Sequence, residues 1–473
     1  MTDEELCFAS VAELSALLRR RALSPVELMR AVIARIERLE PRLNAFATLL
    51  AEPALAAAGA AEKAFKGGDP PPRLAGIPVT IKDLAITKGI PTERGSFTQR
   101  GVVPTEDAPY VARLLAAGAI VLGKTTTSEF GWKGVSQSPL TGITHNPWKF
   151  GHNAGASSAG AAVAAAVGYG PLHQGSDGAG SIRMPAHFCG VFGLKPTYGR
   201  VPNYPLSTMD NTAHIGPLTQ SVADAALMLE VMAGPHSLDH TSAEAWPEPY
   251  GARLGEGIRG ARMAFSPDLG HARVDAEVAA HVAEAARVFA DFHGATVEER
   301  TPAWGPQGPE LIRLTWPAHL QSYARYLPEW EAEMDPGLVA CMKAGAKVSM
   351  ADYQLARERK YAYCAAIGRF FESFDFLITP AVSVAAFPAE RLQPADWPEH
   401  PWDWMSWAEF SYPFNFSGNP AASIPCGFTA DGRPIGMQVV GRRFDDLGVL
   451  KAAAAFEAAR PWAGRRPPLA LTA

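Results

Sequence analysis

Apolar and polar positions recur at helical spacing over residues 11–40 and predict two helices. The second has a defined start. Ser24 serves as N-cap, Pro25 takes the first helical position, and Glu27 completes a capping box. Alanine dominates 51–65 and predicts another helix, after which Gly67, Gly68 and Pro70–Pro72 break the chain. The run Leu74–Asp83 (LAGIPVTIKD) reads as a short strand ending on a lysine. Residues 109–117 read as a helix and Ala119–Gly123 as a buried strand. Between Phe150 and Gly199 the chain turns rich in Gly, Ala and Ser and nearly loses its charge. There Ser158–Val167 predicts a tightly packed helix, and Gln174–Gly180 a strand end with a glycine-rich turn. Beyond residue 200, helices are predicted at 221–232, 274–292, 349–371 and 445–459, and strands at 262–266, 374–379, 421–426 and 435–441. This alternation predicts an α/β fold, with a central mixed β-sheet covered by helices on both faces. No linker interrupts residues 1–473, so a single large domain is expected. The Pro- and Trp-rich stretch 388–407 reads as a long functional loop.

Composition narrows the function classes. Of 473 residues, 47% are hydrophobic and 19% charged, ample apolar material for a large core. A formal net charge of −5 argues against a nucleic-acid partner. Cys7, Cys189, Cys341, Cys364 and Cys426 are scattered without a C-x-x-C pair. That predicts reduced thiols in a cytoplasmic protein, with neither a disulfide frame nor a metal site. The acidic start MTDEELCFAS lacks the basic and apolar regions of a signal peptide. No apolar run approaches the ~18 residues of a membrane span, so no membrane partner is expected.

One formal motif fails on context. Gly118–Thr125 (GAIVLGKT) matches the phosphate-binding pattern G-x-x-x-x-G-K-[ST]. Such a loop must follow a strand and open a helix, so that free N–H groups wrap the phosphates. Here the variable positions are themselves an apolar strand and a helix precedes them. A nucleotide-binding protein is the weaker reading.

Other residues suit acyl transfer, which needs a nucleophile, a base and donors for an oxyanion. H-E-x-x-H and G-x-S-x-G are both absent. Ser181 sits in GSDGAGSIRMPA behind Gly178-Ala179-Gly180, a loop able to present successive N–H groups as an anion nest. Taken alone, it reads better as the cap of a helical turn. Ser157 and Ser158 precede the Ala-rich helix, and one of them is expected to cap it. Lys82 ends the run Ile77–Ile81. It either snorkels or pairs with Asp83, or it is desolvated and left neutral as a base.

Taken together, LAGIPVTIKD, GASSAGAAVAAAVG, GSDGAGSIRMPAHFCGVFGLKPTYGRV, YPFNFSGNPAASIPCGF and GRPIGMQVVG resemble the amidase signature family over nearly the whole chain. The resemblance implies that family's fold and a Ser–cis-Ser–Lys triad needing no cofactor. Ser181 stands at the nucleophile, Ser157 at the bridging cis-serine and Lys82 at the lysine. Ser158 flanks the bridge. Backbone N–H groups of Gly178, Ala179, Gly180 and Ser181 match the oxyanion donors, and Asp177 with Arg183 would hold the loop's shape. A helical segment at about 1–66 would precede a catalytic signature core at about 74–200, and about 201–473 would supply the substrate pocket. Ala156, Ala159 and Ala179 replace the family's usual glycines. If position 179 needed a positive φ, alanine would cost ~1–2 kcal/mol. Alanine at 156 adjoins the expected cis bond, itself costing ~3 kcal/mol.

The implied reaction is hydrolysis of a small-molecule amide through a Ser181 acyl-enzyme. Phe130, Trp132 and Trp316 are expected at the pocket, and the aromatics at 402–416 point to an aryl amide or carbamate. The chief rival is the glutamine-dependent amidotransferase A subunit, which needs partner subunits. A non-catalytic scaffold and a Ser–His hydrolase using His152, His173 or His187 are further readings. A homodimer is common among family relatives.

Overall fold

The computed structural model describes residues 1–67 and 71–471. The Gly68–Pro70 part of the predicted break lies outside the described residues. The strands in chain order are β1 (Phe46–Leu49), β2 (Pro78–Lys82), β3 (Ile120–Thr125), β4 (Gln137–Ser138), β5 (Gly142–Ile143), β6 (Leu172–Asp177) and β7 (Phe192–Lys195). They continue with β8 (His214–Thr219), β9 (Arg262–Phe265), β10 (Thr296–Glu299), β11 (Phe376–Pro380), β12 (Ala421–Phe428) and β13 (Pro434–Gly441). Eleven form one mixed sheet in the order β1-β3-β2-β6-β8-β7-β12-β13-β11-β9-β10, while β4 and β5 pair separately. Parallel pairs (β2 with β3 and β6; β9 with β10 and β11) flank a run of antiparallel pairs from β6 to β11.

Side chains alternate across a strand, so each strand feeds both faces of the sheet. Met263, Phe265, Phe376, Ile378, Ala422, Ile424, Met437 and Val439 enter one core. Their neighbours Ala264, Leu377, Ala421 and Val440 enter a second. The first core holds the N-terminal helices and the Ala-rich helix Ala159–Val167. The second is built on tryptophan, tyrosine and phenylalanine from the C-terminal half. The sheet is thus covered on both faces, as expected.

Local signals explain the helix ends. Ser24 accepts from Val26 N while Glu27 reaches back to the Ser24 amide, opening Pro25–Leu43. Ser10 with Glu13 and Ser349 with Asp352 open Val11–Arg19 and Met350–Ser373 in the same way. Gly168 and Gly190, both left-handed, close Ala159–Val167 and Arg183–Cys189. Gly118–Thr125 is no phosphate loop. Its Lys124 is buried at the end of β3, where Nζ donates to Ala85 O and Thr92 Oγ1 at 2.7 Å each. Among the described residues, no helix is long and apolar enough to cross a membrane.

Candidate active site

β2 and β6 run side by side in parallel and end at the same edge, which brings Lys82 and Asp177 together. Crevices at the carboxyl ends of parallel strands are where α/β sheets place ligands. Lys82 is fully buried. Its amide donates to Gln174 Oε1, and its Nζ lies 2.7 Å from Ser157 Oγ, 2.8 Å from Ser158 Oγ and 3.0 Å from Ser176 Oγ. Of the three roles open to Lys82, the pairing with Asp83 does not form. That carboxylate turns to Lys124, 3.7 Å away, and accepts from Glu93 N. Among the described residues no carboxylate pairs with Lys82. Burial therefore drives its pKa well below the ordinary 10.5, opposed only by the charge of Asp177.

Hydrogen-bond capacity orients the cluster. Ser158 Oγ donates its one hydrogen to Ser176 O and accepts from Ser176 N. Toward Lys82 it can then only accept. A neutral amine has two hydrogens and one lone pair. With Ser158 accepting one hydrogen, the lone pair is free to take the proton of a neighbouring hydroxyl, and Ser157 at 2.7 Å is nearer than Ser176 at 3.0 Å. The capping role expected of these serines is not realised: Ser158 occupies the N-cap position of Ala159–Val167, but its side chain makes no cap bond. Its hydroxyl is committed to Lys82 and Ser176.

Two glycine-dependent contacts seat the serine loops. Gly155 has φ +99, and a Cβ there would lie 2.3 Å from Pro185 Cα, so only glycine lets the Ser157 loop pack on the segment after Ser181. Gly180 has φ +115 and would drive a Cβ into Ser411 Oγ at 2.6 Å. Ala179 is not among the positive-φ residues, so the feared alanine cost does not arise. The sole cis peptide among the described residues is Tyr204–Pro205. The bond beside Ala156 is therefore trans, the form favoured by ~3 kcal/mol for a non-proline residue.

The loop around Ser181 is braced by buried charge. The Asp177 carboxylate accepts from Gly180 N at 2.6 Å, Ile182 N at 3.1 Å, Asn415 Nδ2 at 2.8 Å, and Arg183 Nε and Nη2 at 3.0 and 2.9 Å. Burial alone would raise the Asp177 carboxyl. Arg183, Lys195 and Asn415 outweigh it and hold the group well below the usual carboxylate range. Arg183 also donates to Ser411 O, Gln438 Oε1 and Asn415 Oδ1. Gly180 N–H is thus spent on Asp177. Among the described residues the N–H groups of Gly178, Ala179 and Ser181 have no partner, so the expected oxyanion donors narrow to these three. Ser181 Oγ accepts from Ser157 N at 3.3 Å. No bond joins the two hydroxyls directly in this arrangement.

Ser176, Asn415, Ser411 and Gln438 went unmarked in the sequence. A signal existed for the first: Gln174 and Ser176, two apart on a buried strand, mark one polar face of β6. The histidines stay apart from the serines. His173 pairs with Thr80 Oγ1 and Gly170 O, and His187 with Gly436, while His152 makes an isolated bridge with Pro388.

A cavity of about 220 Å³ opens above Lys82, Ser157 and Gly178, smaller than the roughly 300 Å³ at which ligand pockets usually begin. A larger concavity of about 730 Å³ lies at the far sheet edge around β10 and contains none of Lys82, Ser157 and Ser181, so the smaller one is the candidate site. Phe130 and Trp316 line it, joined by Tyr323, whose ring stacks on Phe130 at 4.2 Å. Trp132 does not line it. This residue is buried in the second core, where its carbonyl accepts from the indoles of Trp316 and Trp404 at 3.1 and 2.9 Å. Trp404, Trp407, Tyr412, Phe414 and Phe416 are core residues too, and Trp402 packs against them. The aromatic density at 402–416 reflects packing across the sheet, not a pocket wall.

A family profile described as Amidase matches residues 27–450. An acylamidase of Rhodococcus erythropolis is 39% identical, covering 99% of this chain and 98% of that protein. The A subunit of the glutamyl-tRNA(Gln) amidotransferase of Myxococcus xanthus is 34% identical over 98% of this chain and all of its own length. The solved structure of a bacterial aryl acylamidase superposes with a TM-score of 0.89 at 28% identity, covering 97% of each chain.

Proposed function

This chain belongs to the amidase signature family and is an amidase; from that premise we propose that Lys82, Ser157 and Ser181 hydrolyse an aryl-bearing amide through an acyl-enzyme. The observation that carries the reading is a fully buried amine, without a carboxylate partner, 2.7 Å from the Ser157 hydroxyl. Neutral Lys82 takes the Ser157 proton as Ser157 takes that of Ser181. The Ser181 oxygen attacks the carbonyl carbon, and the oxyanion accepts from the Gly178, Ala179 and Ser181 N–H groups. When the C–N bond breaks, the proton returns through Ser157 to the leaving amine. Water then cleaves the ester by the same relay. A rotation of the Ser181 hydroxyl toward Ser157 closes the chain; catalytic hydrogen bonds commonly tighten only with substrate bound.

The wall of Phe130, Tyr323 and Trp316 supports an aryl group in the substrate. Glutamine fits less well. Its α-ammonium needs an acid, and the one carboxylate among the described residues that line the cavity, Asp177, is held by Arg183. Five unpaired cysteines support a reducing, cytoplasmic setting. The test is a hydrolysis panel of anilides, aliphatic amides, carbamates, esters and glutamine. Anilides are expected to give the highest kcat/KM, with glutamine at background. Turnover confined to glutamine or small charged aliphatic amides would refute the aryl reading.

A further inference from the structure

We propose that Arg94 binds a carboxylate on the substrate, so that this amidase prefers amides carrying an anion beside the aryl group. The inference rests on the amidase reading above and adds a specificity residue to it. Four ionisable side chains of the Lys, Arg, Asp and Glu types line the cavity: Lys82, Asp177, Arg94 and Arg325. The first two lie at the floor, one held neutral by burial and the other paired with Arg183. Among the described residues the remaining lining charge is two guanidiniums, with no further acid beside them.

Arg94 differs from other sheltered arginines of this chain. Arg35 donates to Val167 O and Ala470 O, Arg113 to four consecutive carbonyls from Met232 to Pro235, and Arg200 to Asp446. The half-buried Arg94 guanidinium has no hydrogen bond or ion pair among the described residues. Leaving a partly desolvated cation unsatisfied is costly, and its planar fork suits a carboxylate in bidentate geometry. Arg325 is exposed and already engages the Tyr326 hydroxyl, which places it at the rim.

The backbone holds this cation against the aromatic wall. Arg94 and Phe130 both sit in the left-handed region, at φ 55 and 50, and Phe130 N donates to Arg94 O at 2.9 Å. Arg94 N in turn donates to Asp83 O, one residue from Lys82. Strained residues of this kind persist where the surroundings over-determine them, often at ligand clamps. An aryl ring on Phe130 and Tyr323 would place a ring substituent within the field of Arg94.

The test compares kcat/KM for neutral acetanilide with two anionic anilides in the wild type, Arg94→Gln and Arg94→Lys. In 4-acetamidobenzoate the carboxylate is on the amine side; in succinanilate it is on the acyl side. At least one acid is expected to exceed acetanilide tenfold, and the arm that does so identifies the end bound near Arg94. Arg94→Gln is expected to cut that anionic-to-neutral ratio at least tenfold, mainly through KM. Arg94→Lys, which keeps the charge without the fork, should retain part of it. A ratio unchanged by Arg94→Gln, no wild-type preference for either acid, or an equal fall on all three substrates would overturn the proposal. Failure to hydrolyse acetanilide and both acids would instead overturn the aryl-amide reading, and this inference with it.

Discussion

A Lys82→Met variant is expected to lose amide turnover by about 10²–10⁴-fold while melting at a higher temperature than the parent protein. The two effects share one cause. In the folded protein, burial holds the Lys82 amine well below its ordinary 10.5, and its hydrogen-bond partners among the described residues are neutral hydroxyls and a carbonyl. In the unfolded chain the same amine is protonated at neutral pH. Unfolding therefore binds a proton, and stability rises with pH between the depressed folded value and 10.5. Methionine has similar length and nothing to protonate. It removes that penalty at neutral pH, for a gain of about 1 kcal/mol, and the advantage shrinks as the pH approaches 10.5. Thermal melts at pH 7 and pH 10, beside kcat/KM, check both halves. A variant that melts lower and keeps its turnover would show that Lys82 is a charged structural residue.

Ser181→Ala is expected to lower kcat by about 10⁴–10⁶-fold with little change in Tm. Among the described residues the Ser181 hydroxyl makes one hydrogen bond, accepting from Ser157 N. The shape of its loop is set by Asp177, Arg183 and Asn415, which the substitution leaves in place. Covalent labelling by a fluorophosphonate should vanish with the hydroxyl. Ser157→Ala separates the roles further: Ser181 stays in place, and Lys82 keeps Ser158 and Ser176 as partners. Substantial turnover by Ser181→Ala would exclude it as nucleophile.

The sequence made some elements plain because their signals were local. Ser24-Pro25-x-Glu27 writes a helix start into four residues, and the apolar run before Lys82 writes a buried strand. Edge strand β10 was illegible. Its residues TVEE are mostly exposed and carry no apolar alternation, so only pairing with β9 makes them a strand. The helix Gln307–His319 was hidden by Pro309 and Pro317, which ordinarily break such a pattern. Within the candidate site, Lys82, Ser157 and Ser181 were legible because their loops carry recognisable strings. Ser411, Asn415 and Gln438 were not, since they reach the Asp177–Arg183 pair only through the sheet order β7-β12-β13. Trp132 misled for the same reason. Composition marks an aromatic as buried but not which side of its core opens onto a cavity: Trp132 and Phe130 share the second core, yet only Phe130, with Tyr323, also lines the cavity.

The most direct test of the neutral-lysine relay is the pH dependence of Ser181 phosphonylation by a fluorophosphonate, in wild type and in Lys82→Met. As pH falls through the depressed pKa of Lys82, the amine gains a proton and loses the lone pair that would take the Ser157 proton. The relay therefore predicts a rate that rises with pH through one ionisation well below 10.5, and a Lys82→Met rate that is low at every pH. A wild-type rate that falls as pH rises, or a Lys82→Met rate equal to wild type, would contradict it.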